Sequence, residues 1–150
     1  MGYTLEPENL LTRILRADML NMFREPSQVP CVAPSRADVF NAQFDHLRGL
    51  PDNWDGYGAE RPNNWALTKG HEVIEVFMEL DLHPSAIAPC ANGGIEICFR
   101  RHGKFADFQC CNSGSLLGLT SDPSGHIKVF RMQPGEIRAG IKKIQDFIER

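Results

Sequence analysis

The chain has 150 residues, with 16 Lys and Arg against 19 Asp and Glu and a formal net charge of -3. No block of like charge stands out, so the broad basic face of a nucleic-acid binder is missing, and no apolar run approaches the roughly 20 residues of a membrane span. Hydrophobic residues at 42% and charged residues at 23% fit one globular domain of this length.

The N-terminus, MGYTLEPENLL, carries acids where a secretory leader would carry a basic region and an apolar core. Gly2 is followed by Tyr3, Thr4, Leu5 and Glu6, so the Ser or Thr that myristoylation needs at position 6 is absent. Five cysteines, Cys31, Cys90, Cys98, Cys110 and Cys111, are an odd number with no C-x-x-C pair. They read as reduced, mostly buried small hydrophobes, and the protein is expected in the cytoplasm.

Residues 7–24 place Leu10, Leu11, Ile14, Leu15, Met19, Met22 and Phe23 near helical spacing, with Pro7 in the first turn and Pro26 beyond the end. Their apolar positions cover more of the surface than one core contact requires, which suggests a contact with another chain, either a target or a second copy in a homo-oligomer, unless the helix is wholly taken up by the core. Residues 26–34 hold three prolines and predict an extended connector. Ser35 and Asp38 open a second helix with Ala37, Phe40, Phe44 and Leu47 as its stripe, ended by Gly49 and Pro51. A third helix is predicted from about Asn64 to Leu80, capped by Asn63 or Asn64, with Leu67, Gly70, Val73, Ile74, Phe77 and Met78 on one side.

From Ala86 to Met132 the period changes to two. Ile95, Ile97 and Phe99 alternate with Glu96, Cys98 and Arg100. Asn92-Gly93-Gly94, His102-Gly103-Lys104 and Asp122-Pro123-Ser124-Gly125 mark turns. Five short strands with no helix between them predict an antiparallel meander. Pro134 then starts a closing helix, whose stripe of Ile137, Ile141, Ile144, Phe147 and Ile148 should pack on one sheet face. The expected fold is therefore α+β, one domain over residues 1–150, with a helical part at 1–49 and a core at 50–150.

Several constellations could carry chemistry. Asp52, Asp55 and Glu60 lie close in sequence beside aromatic side chains, as a hydrolase or nuclease acting with a divalent ion would require. Asp before Gly is more commonly the chemistry of a tight turn, and that reading is the stronger of the two. Cys98, His102, Cys110 and His126 could supply metal ligands, but their spacing matches no zinc pattern, and neither a metal nor another cofactor is expected. Cys110-Cys111 and Ser113-Gly114-Ser115 offer nucleophiles without the spacing of a triad. Arg100, Arg101, His102 and Lys104 make a basic hairpin that would meet phosphates or an acidic protein surface, if it is not simply solvated.

The segment Leu50-Pro51 through Trp54-Asp55-Gly56-Tyr57-Gly58-Ala59, followed by Pro62, a helix and Gly93-Gly94-Ile95, resembles a group of small bacterial and phage proteins. The resemblance covers about residues 50–101. Where that group ends the strand with an acid and a tryptophan, this chain has Ile97, Cys98 and Phe99. It implies an accessory role linked to mobile DNA, such as an anti-CRISPR-like inhibitor of a bacterial defence complex, an antitoxin or an immunity partner; no established activity carries over from it. The resulting expectation is a non-enzymatic factor that binds another protein, with Trp54, Asp55, Tyr57, Arg100, Arg101 and Lys104 as candidate contacts. Within the segment, Asp55 should accept backbone hydrogen bonds, while Trp54 and Tyr57 both fold back over the helices and sheet.

Overall fold

In the computed structural model, residues 33–150 are described. The predicted first helix and its self-association surface lie outside the described residues, as does Cys31. One compact unit runs from Ser35 to Arg150.

Helix α1 spans Arg36–Arg48. Ser35 caps it as expected: its hydroxyl accepts from Asp38 N while the Asp38 carboxylate accepts from Ser35 N. That exchange satisfies donors the first turn would otherwise leave orphaned. Phe44 and Leu47 are buried, Phe40 is half-buried, and Ala37, at the helix start, is exposed. Helix α2 spans Asn64–Glu79 and is capped by the Asn63 side chain, which accepts from Ala66 N at 2.9 Å. Its buried face is Ala66, Leu67, Gly70, Val73, Ile74 and Phe77; Met78 is only half-buried.

Five strands follow in direct succession: β1 Ala86–Pro89, β2 Gly94–Arg101, β3 Lys104–Cys111, β4 Leu116–Ser121 and β5 Ile127–Met132. Each pairs antiparallel with its neighbour, so sheet order equals chain order. A 3-10 turn at Pro134–Glu136 leads into helix α3, Ile137–Glu149. The fold is α+β, with α3 packed on the sheet.

The register sorts the sheet into two faces. Ile87, Ile97, Phe108, Gly118 and Phe130 stand side by side on one face, with Ile95, Cys110, Leu116 and Met132 in the next row. Ile87, Ile95, Ile97, Phe108, Cys110, Leu116 and Met132 join Phe44, Leu47, Val73 and Phe77 of the first two helices and Ile137, Ile141, Ile144 and Ile148 of α3 in one core, with Phe130 half-buried against it. Phe77 holds Phe99 at 4.6 Å and Phe108 at 6.2 Å between ring centroids, tilted and edge-on as aromatic quadrupoles prefer. The opposite face carries Glu96, Cys98, Arg100, Asp107, Gln109, Leu117, Leu119 and Val129. Among the described residues, no helix is long and apolar enough to cross a membrane.

Candidate functional site

Residues 50–63, between α1 and α2, are folded by their own polar groups. Asn53 N donates to Ala59 O at 2.8 Å, and Gly56 N donates to Asn53 O at 3.1 Å. Inside that frame the Asp55 Oδ1 accepts from Tyr57 N at 2.8 Å and from Ala59 N at 3.1 Å. Asn53 Oδ1 accepts from Gly58 N at 2.6 Å. Gly56 and Gly58 take φ of 78° and 90°, a region where a Cβ is strained, which is why the two glycines stand there. The backbone N–H groups of Tyr57 and then Ala59 hold the Asp55 carboxyl below its ordinary range.

Two residues tie this loop to the rest of the unit. The Trp54 indole N–H donates to Glu60 O at 3.3 Å, and its ring packs half-buried on the core. Asn112, in the β3–β4 turn, donates through Nδ2 to Arg61 O at 2.9 Å and accepts Asn63 N on Oδ1 at 2.8 Å. Its carbonyl also accepts from the Asn63 side chain at 2.9 Å. The sequence does not single out Asn112, because nothing local shows that it reaches a segment some fifty positions earlier.

Asp55 therefore clips the loop as expected, and Trp54 folds back. Tyr57 does the opposite of what was expected: it is 94% exposed. With its own N–H and the Gly58 N–H both drawn inward to side-chain carboxylate and amide oxygens, the Tyr57 side chain is left on the solvent side of the turn.

The acids do not gather into one centre. Asp52 and Glu60 line an open depression with Arg48, Arg61, Asn63 and Asn112, whereas Asp55 is committed to its own loop. Asp52 Oδ1 receives Arg61 N at 3.4 Å, and Glu60 Oε2 lies 3.5 Å from Asn112 Nδ2. Cys98 and Cys110 fall on opposite faces of the sheet, since Cys98 pairs with Asp107 and Cys110 with Ile95. Among the described residues, no group of three or more His, Cys, Asp and Glu side chains could hold a metal ion.

The basic hairpin is divided as well. Lys104 Nζ donates to Phe147 O at 2.9 Å and Arg150 O at 2.8 Å, so it caps the end of α3, where the helix dipole favours a cation. Arg100 lies 5.6 Å from the Phe105 ring centroid, and Arg101 and His102 are exposed.

A buried polar group on the outer face was not foreseen. Asp107 is 4% exposed, and its Oδ1 has no hydrogen-bond partner. Gln109 Nε2 donates to its Oδ2 at 3.0 Å. Burial raises the Asp107 carboxyl above its ordinary range despite that bond, and burial followed by the charge of Asp107 raises Glu96. Burial also pushes up the thiols of Cys98 on this face and Cys110 on the core side, each to about 12. Such thiols are protonated at neutral pH and poor nucleophiles.

Comparison of the chain with protein-family models, with curated proteins and with solved structures finds no match.

Proposed function

We propose that this protein is a non-enzymatic binding factor that acts by docking on another protein. Exposed Tyr57 carries the reading. A large aromatic side chain fully presented to solvent on a loop locked by Asp55 and Asn53 has little to lose on binding, because its backbone is already ordered. Tyrosine also combines a broad apolar ring with a polar tip, the combination that recurs at binding hot spots. Trp54 supports the loop from beneath, and Asp55 sets its shape. In this proposal Arg100 and Arg101 are secondary contacts and Lys104 acts through helix α3.

The role we propose follows the resemblance of the loop: a phage or mobile-element inhibitor of a bacterial defence complex, or an antitoxin or immunity partner, working in the cytoplasm. The four described cysteines are free, which suits a reducing compartment. Self-association through residues 7–24 is part of the same proposal and is read by sedimentation. The deciding experiment compares partner capture and melting temperature for wild type and Tyr57→Ala. Loss of the partner at an unchanged melting temperature supports the reading. Equal capture by both proteins counts against it.

A further inference from the structure

The sheet ends on two edges of unequal character. Strand β1 is four residues long, finishes on Pro89 and lies against α1, whose Phe40 shares a groove with Ile87. Strand β5 is six residues long, and among the described residues nothing pairs with its outer side. The phase of its backbone follows from the turn before it. Asp122 N donates to His126 O at 3.2 Å, which makes that pair hydrogen-bonded. Antiparallel pairs alternate, so Lys128 and Phe130 spend their peptide groups on β4. Ile127, Val129 and Arg131 therefore turn theirs outward, toward the open edge.

The side chains along this edge are unusual. Ile127 is 65% exposed and Val129 62% exposed, next to each other on the outer face. On the helix side, an open groove between β5 and α3 is lined by Lys128, Phe130, Lys143, Asp146, Phe147 and Arg150. Lys143 stands 5.0 Å from the Phe130 ring centroid. Three cations thus face one acid, and neither Lys128, Lys143, Arg150 nor Arg131 forms an ion pair with a described acid.

We propose that the β5 edge takes up an extended, acidic segment of a partner polypeptide as a sixth strand. The proposal rests on the reading that this chain binds another protein, and it assigns a surface distinct from the Tyr57 loop. Backbone pairing supplies attraction for any extended chain, and side chains select which one. An added strand that alternates acidic and apolar residues sets its carboxylates beside Lys128 and Lys143 and its apolar residues beside Ile127 and Val129. Charges on an edge strand ordinarily repel further pairing. Here they discriminate by sign: a second copy would bring Lys128 and Arg131 of both chains onto one seam, whereas an acidic strand meets complementary charge.

The test uses the full chain and a blocked eight-residue peptide alternating Glu and Val, followed by amide exchange. The expected result is at least a ten-fold rise in protection at Ile127, Val129 and Arg131, with Lys128 and Phe130 unchanged. Lys128→Glu with Lys143→Glu should weaken binding at least ten-fold. Val129→Pro removes a donor that β4 does not use, and should abolish binding while leaving the fold intact. If that variant fails to fold, a peptide N-methylated at its donor positions asks the same question of wild type. Unchanged protection, equal binding of a Lys-Val peptide, undiminished binding of the N-methylated peptide, or dimers paired through β5 would each overturn the proposal. Capture of the natural partner that is lost in Tyr57→Ala but kept in Val129→Pro overturns the edge and leaves the binding reading standing. A wild-type chain that captures no partner overturns the binding reading alone, since peptide protection still decides the edge.

Discussion

Replacing Ile144 by alanine tests the packing of α3 most directly. Ile144 is 0% exposed and sits in the core with Ile141 and Ile148. The substitution removes three carbons, each worth about 0.8 kcal/mol of transfer free energy. A cavity term adds to that, because close-packed neighbours on α2 and the sheet collapse only in part, so the loss should reach about 3–4 kcal/mol. For a domain of this size that corresponds to a fall in melting temperature of roughly 10 °C. Urea unfolding followed by tryptophan emission reads it, since half-buried Trp54 and Trp65 both report on the core. The exposed Lys142→Ala on the same helix is the control and should stay within about 0.5 kcal/mol of wild type. An Ile144→Ala loss below about 0.5 kcal/mol would refute the placement of this helix on the sheet.

Three further outcomes follow. Asp55→Ala should lower the melting temperature and speed proteolysis of residues 50–63, with Asp55→Asn intermediate because its Oδ1 can still accept; a fully stable Asp55→Ala would dissolve the clip. Lys104→Met should cost about 0.5–1.5 kcal/mol and loosen the last turn of α3, seen as faster amide exchange there; unchanged exchange would show that the Phe147 and Arg150 carbonyls do not depend on it. The raised Asp107 carboxyl should make stability fall as pH climbs through and above the ordinary carboxylate range, because the folded state holds its proton longer than the unfolded chain does. Asp107→Asn should therefore gain on wild type as pH rises above the ordinary carboxylate range, and parallel stability curves for the two proteins would contradict the assignment.

What could be read from the sequence was whatever its local pattern determines. Isoleucines at helical spacing in α3, the alternation in β2 and the glycine turns each specify geometry within a few residues, and the structure agrees with them. Asp55 was legible for the same reason, as its partners are two and four positions away. Tyr57 was misjudged because two glycines announce a turn without saying which side its aromatic takes; that depends on Asn53 and Asp55 acting together. Lys104 looked like part of a charged hairpin, and only the fold brings it to carbonyls more than forty residues along the chain. The burial of Asp107 and the exposure of Val129 share this origin. They are register partners on one face through Leu119, yet one lies in the sheet's middle strand and the other at its rim.

The strand order carries a consequence for how the chain reaches this state. Since every strand pairs with its neighbour in sequence, the sheet can grow by successive hairpin closures. The tightest of these, across His102-Gly103, belongs to a class that forms in about 1–10 μs. Low sequence separation between partners keeps the entropy of loop closure small at each step. The three helices complete their packing only on a sheet that has formed, since their buried faces meet it in one core. Refolding rates should accordingly respond more to substitutions in the β2–β3 hairpin than to those in α1, whose packing forms late and governs unfolding instead.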